Sequence, residues 1–198
     1  MLEIFGVITG LLYIFLEIKQ HRAMWVLGFL TSLAYVFIFL YSKIYADMGL
    51  NVYYVLISIY GFWEWSRKTN HIQPEKEKKR DEIIVYRHLT PRLFAGIITS
   101  FFVIFFSIWY ILAHFTDSPI PVGDAFTTAV GIVATWMLAR YIIEHWLFWI
   151  IANSVSIYLY YLRDLYPTMF LYICYALLPV YGYYTWQKNG VKTNDKTV

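Results

Sequence analysis

Four residues suited to holding a flat, polar solute, Trp146, Trp149, Asn153 and Ser156, lie within the run HWLFWIIANSVS. On a helix of about 3.6 residues per turn they fall on one face. Rings can stack on a planar ligand, and an amide and a hydroxyl can hydrogen-bond its edge. With a rise of about 1.5 Å per residue, Asn153 sits on the order of 10 Å inside its apolar run. An amide turned toward lipid at that depth would be unsatisfied at a cost of several kcal/mol. Two readings fit: an interhelical hydrogen bond, or a wall that contacts a substrate.

Other stripes of mixed ring and hydrogen-bonding character reach the same depth. They comprise Asp47, Asn51, Tyr54 and Ser58; Asp124, Thr128, Gly131 and Thr135; and Tyr172, Tyr175 and Pro179. Together they describe a chamber of aromatic rings with a few neutral polar groups. The acidic residues Glu3, Glu17, Asp47, Glu64 and Asp124 lie near the ends of apolar runs, which disfavours a proton relay across the midplane. GxxxxGK[ST] and HExxH patterns are absent, and His21, His71, His88, His114 and His145 form no i, i+4 pair for a metal. No cofactor is implied. A ring-lined chamber still suits an organic cation, because π faces attract positive charge. Trp65 and Trp186, beside Lys or Arg at the ends of their runs, read as interfacial belt residues, and the lone Cys174 reads as packing.

The elements that must carry these stripes are membrane helices. The 198 residues are 60% hydrophobic with only 15% charged, a membrane composition. Seven nearly charge-free segments run over 2–18, 25–42, 47–66, 92–115, 121–143, 146–162 and 167–186, each near the ~20 residues that cross a bilayer. Continuous runs of this length argue against a β-barrel. The first lacks a basic start and a small-residue cleavage site, so it is expected to be retained as a helix. If the segments alternate, one face holds only Lys43 and Arg163, and the other holds the remaining 14 of 16 Lys and Arg. The positive-inside rule then puts the N-terminus outside and the C-terminus in the cytoplasm. The longest loop mixes its Lys and Arg with Glu75, Glu77, Asp81 and Glu82, so it reads as a solvated linker and not as a nucleic-acid patch.

The chain also repeats itself. A shift of 121 residues, without a gap, superposes Gly10 on Gly131, Trp25 on Trp146, Tyr54 on Tyr175, Gly61 on Gly182 and Trp65 on Trp186. YGFWEW thus returns as YGYYTW. The expected organisation is a first three-helix repeat over 1–66, a charged cytoplasmic loop over 67–91, a linker helix over 92–120, a second repeat over 121–187 and a cytoplasmic tail over 188–198. This is an all-α integral membrane protein with seven transmembrane helices in a parallel 3+1+3 arrangement of SWEET-like architecture. In the first copy Gly28 stands at the place of Trp149, and Ser32 at that of Asn153, so the two halves offer unequal walls.

The WxxWxxxN pattern at Trp146, Trp149 and Asn153, the segment YADMGLNVYYVLISIYGFWEW and the closing YGYYTW resemble the PnuC family of bacterial vitamin-precursor transporters. The resemblance covers roughly residues 1 to 188. It implies facilitated diffusion of nicotinamide riboside or, in a related branch, thiamine, through a homotrimer in the bacterial inner membrane. It also implies a functional link to a cytoplasmic kinase that traps the arriving vitamin. Carried over by position, Trp146, Trp149 and Asn153 would bind the substrate, with Asn51 and Tyr54 facing them and Thr128, Thr135 and Tyr175 completing the set. Asn51 and Thr135 depart from the glutamines of the riboside carriers, which leaves thiamine open, and the compact N-terminus suits that branch. A sugar carrier of the SWEET type and a non-transporting scaffold are the remaining alternatives. An enzyme is disfavoured, since no buried acid, base or metal cluster is apparent.

Overall fold

Long apolar runs build long helices, and the computed structural model has seven of them among the described residues. It describes residues 2–41, 45–69, 84–162, 164 and 166–192. The helices are α1 (Leu2–Ile18), α2 (Ala23–Tyr41), α3 (Tyr45–Thr69), α4 (Pro91–Phe115), α5 (Pro121–Ala139), α6 (His145–Leu162) and α7 (Tyr166–Asn189). Two short strands, β1 (Val85–Tyr86) and β2 (Val191–Lys192), complete the described elements. The expected charged loop falls largely on 70–83 and most of the tail on 193–198, outside the described residues. So do Lys43 and Arg163, and the Asp47 side chain.

The chain divides into two compact units, Met1–Val85 with Asn189–Val198, and Tyr86–Lys188. In the first unit α1 packs on α2, and α2 on α3. In the second, α4 packs on α5, and α5 on α6. The α4–α5 contact is an apolar cluster of Ile97, Val133, Met137 and Ile142 with Leu93, Phe101, Ile104, Trp136 and Phe148 around it. The start of α4 follows from its sequence: Thr90 caps it by accepting the Leu93 N–H, and Pro91 occupies the first turn, where no N–H is needed.

Each unit contains a tight helix-to-helix corner of the same build. α1 ends with Gln20 at φ 54°, its N–H donating to Glu17 O and that of His21 to Leu16 O, both at 2.9 Å. α5 ends with Tyr141 at φ 59°, its N–H donating to Leu138 O and that of Ile142 to Met137 O, both at 3.0 Å. This left-handed stop closes the last open carbonyls of each helix, with Gln or Tyr where Gly is usual. It also corrects one boundary. The fifth segment, expected to run to 143, is helical only to Ala139, because the left-handed residue breaks the helix inside the apolar stretch RYII.

The surface of the helices is apolar where it is open. On α4, Phe94, Phe102, Val103, Phe106, Tyr110 and Phe115 are all exposed. Hydroxyls on these faces turn inward: Thr99 donates to Ala95 O, Ser107 to Val103 O and Thr116 to Leu112 O, at 2.7–2.9 Å. Water would not require that return bond, whereas hydrocarbon does. By length and composition α4 and α5 each suffice to cross a bilayer.

Candidate functional site

In the second unit the stripe read from the sequence forms one face of α6. Trp146 is 1% exposed, Asn153 and Ser156 are each 9% exposed, and Trp149 is half-buried. Trp146 can lie flat against α7 because residue 182 is glycine; a Cβ there would meet the Trp146 ring at 2.6 Å. The ring then meets Trp186 edge-on, centroids 5.6 Å apart at 88°, and His145 at 4.5 Å. The indole N–H groups of Trp146 and Trp149 are enclosed without a hydrogen-bond partner among the described residues. A buried N–H in that state is an open demand for an acceptor.

Asn153 bridges two helices. Its Nδ2 donates to the backbone carbonyl of Tyr175 on α7 at 2.8 Å, so one arm of the amide serves as interhelical glue. The Tyr175 ring packs edge-on to Tyr172 at 5.8 Å, and Tyr172 lies 4.8 Å from Tyr160. Thr135 is buried, and its hydroxyl donates within α5 to Gly131 O at 2.8 Å. Thr128 is half-buried on the same helix. Asn51 and Tyr54 belong to the first unit, half-buried on α3, with the Tyr54 ring 5.5 Å from Tyr53. The structure thus gathers Trp146, Trp149, Asn153 and Tyr175 within one unit, while Asn51 and Tyr54 form part of the other.

Two expectations need correction. Trp65 and Trp186 are not belt residues: they are 2% and 0% exposed. Trp65 packs edge-on to Trp25 at 5.4 Å and 87°, as Trp186 does to Trp146. Their basic neighbours mimic an interface signature, but a facing glycine gives each pair its slot. Sequence reasoning weighed His145 only as a metal ligand and passed over Tyr13; His145 is fully buried with Nδ1 2.6 Å from Ile142 O, and the Tyr13 ring lies beside Gly28. The repeat register was the available signal for the glycines, since it carries Trp25 with Gly61 onto Trp146 with Gly182. Among the described residues no group of three or more His, Cys, Asp or Glu could hold a metal.

Long helices with an apolar outer surface, enclosing rings and neutral polar groups, define a multi-helix membrane protein of the small-solute transporter class. The chain belongs to the nicotinamide mononucleotide transporter family, whose model matches residues 1–188. It is 25% identical over 203 residues to the nicotinamide riboside transporter PnuC of Escherichia coli strain K12, covering 93% of this chain and 84% of that one. The PnuC of Neisseria mucosa is 26% identical over 188 residues, covering 91% and 70%. The riboflavin/roseoflavin transporter RibM of Streptomyces davaonensis is 23% identical, covering 93% and 83%. The fold is similar to the crystal structure of the vitamin B3 transporter PnuC, with a TM-score of 0.68 and 25% identity over 92% of this chain and 78% of that one.

Proposed function

We propose that this chain carries nicotinamide riboside down its gradient across the bacterial inner membrane, with Trp146, Trp149 and Asn153 as the wall that holds the substrate. The observation that carries the reading is the pair of enclosed indole N–H groups beside a fixed amide on α6. The family and the names of the PnuC relatives supply the substrate class. Asn51, Tyr54, Thr128, Thr135 and Tyr175 complete the proposed contact set. Nicotinamide riboside carries a cationic ring, which aromatic faces attract without a counter-carboxylate. Seven crossings in a parallel 3+1+3 arrangement, an outside N-terminus, a homotrimer and trapping by a cytoplasmic kinase belong to the same proposal. The charge distribution supports the orientation.

A different vitamin is the second reading, favoured by the shorter side chains at Asn51 and Thr135 and by the likeness to RibM. Thiamine is its leading candidate. Calorimetric titration of the detergent-purified protein with nicotinamide riboside, thiamine, riboflavin and a nucleoside separates the readings. Tight binding of the riboside alone is the expected result; silence toward all four sinks vitamin transport.

A further inference from the structure

α7 contains one proline in its interior, Pro179. Proline has no backbone N–H, so the carbonyl four residues earlier, that of Tyr175, loses its ladder bond. Inside hydrocarbon no water replaces it. The group that meets this carbonyl is the Asn153 side chain, Nδ2 to Tyr175 O at 2.8 Å. A carbonyl only accepts, so the NH2 end of the amide must face α7. The other end, Oδ1, makes no hydrogen bond among the described residues.

The first unit supplies the control. In the 121-residue register Pro179 corresponds to Ser58, Tyr175 to Tyr54 and Asn153 to Ser32. Ser58 keeps its N–H for the Tyr54 carbonyl, so no amide is required there, and a small buried serine stands at residue 32. The proline and the asparagine occur together in one copy and are both absent from the other.

We propose that Pro179 is a positioning residue: it leaves the Tyr175 carbonyl open to clamp the Asn153 amide, so that Oδ1 faces the substrate as a fixed acceptor. This rests on the reading of α6 as the substrate wall. At that point the site takes a hydrogen-bond donor, which a neutral carboxamide or a hydroxyl provides. A carboxylate in the same place sets acceptor against acceptor. Of the donors on the proposed riboside, the inference assigns its carboxamide N–H to this acceptor, a role that a carboxylate cannot fill.

Two measurements on the full chain in detergent test this. The first is thermal unfolding of Asn153→Leu, Pro179→Ala and the double variant. Asn153→Leu is expected to lower the Tm clearly in the parent and much less beside Pro179→Ala, whose new N–H takes the Tyr175 carbonyl. Equal losses in both backgrounds overturn the pairing. Asn153→Ser, the residue of the first copy, runs the same cycle if the leucine variant does not fold. The second is the ratio of calorimetric Kd values for nicotinic acid riboside and nicotinamide riboside. The parent is expected to favour the carboxamide by roughly a hundredfold or more. In Pro179→Ala, where the amide is free to turn over, the preference is expected to fall about tenfold. An unchanged ratio overturns the positioning role. A parent that binds neither riboside overturns the acceptor assignment along with the transport reading, while the unfolding cycle, needing no ligand, still decides whether Asn153 answers Pro179.

Discussion

The two tryptophan corners, Trp25 with Gly61 and Trp65, and Trp146 with Gly182 and Trp186, are the same structure built twice. Ring separations of 5.4 and 5.6 Å, interplanar angles of 87° and 88°, and glycine approaches of 2.5 and 2.6 Å agree across the units. The halves differ one turn further into the membrane. There the first unit has Tyr13 lying over Gly28, with Ser58 alongside, whereas the second has Ala134, Trp149 and Pro179 at the matching positions. Bulk has moved from the first helix of the repeat to the second, and a proline with its asparagine has been added. The lesson is a division of labour by depth: the frame near the corner repeats, Trp146 serving in both frame and proposed wall, whereas Trp149 and Asn153 have only Gly28 and Ser32 as counterparts.

The strongest way to break this comparison is to remove each corner ring. Trp25→Ala and Trp146→Ala should each cost about 3–5 kcal/mol of stability, the range for deleting a large buried aromatic. The prediction is equality: thermal unfolding in detergent should show matched Tm losses, and a large loss in one unit alone would end the idea of a repeated frame. Next in size come Gly61→Ala and Gly182→Ala. Each adds a Cβ at 2.5–2.6 Å from a ring that cannot swing away, and overpacking of this kind costs about 1–3 kcal/mol. The same assay should again return a matched pair.

Deeper in the membrane the variants should diverge, which sharpens the comparison. Trp149→Ala removes a half-buried ring from the proposed wall and should weaken nicotinamide riboside binding by about 1–2 kcal/mol, read by calorimetry, with a smaller change in Tm. Gly28→Ala, at the matching place, meets Ser58 Oγ at 3.2 Å and the Tyr13 ring at 3.3 Å. Its expected effect is a loss of under about 1 kcal/mol in stability. If Gly28→Ala abolished binding while Trp149→Ala left it intact, the assignment of the wall to the second unit would be wrong.

How much of this the sequence carried depends on the range of the interaction. Six of the seven helices begin and end within a few residues of the expected limits, because apolar runs set them locally. α5 stops four residues early because a left-handed Tyr141 has no compositional signature. Trp65 and Trp186 were misread because burial is decided by Gly61 and Gly182 acting through a packed neighbour, while the adjacent charges point the other way. For Asn153 the depth argument identified a residue that needs a partner. Only the structure names that partner as the Tyr175 carbonyl. Contacts over long separations, such as Gln20 to Val85, leave no local trace at all.

That last contact gives the smallest and most local prediction, on how each corner holds the segment that follows the charged loop. In the first unit the Gln20 amide grips Val85 twice, Nε2 to its carbonyl and its N–H to Oε1, both at 2.8 Å. In the second unit the backbone does this work: the Arg87 N–H donates to Tyr141 O at 3.0 Å and the Ile143 N–H to Arg87 O at 3.1 Å. Glu144 adds a side-chain clasp, 2.8 Å from His88 Nδ1 and accepting the Leu89 N–H at 3.2 Å. Gln20→Ala removes both bonds to Val85 and should cost about 1 kcal/mol locally, read as a severalfold faster amide exchange at Val85. Glu144→Gln keeps one acceptor for Leu89 and weakens only a partly exposed pair, so its effect should stay below about 0.5 kcal/mol, with Leu89 exchange barely changed. Faster exchange at Leu89 than at Val85 would reverse the ranking. It would make the side chain, and not the strand-like backbone pairing, the main tether of the second corner.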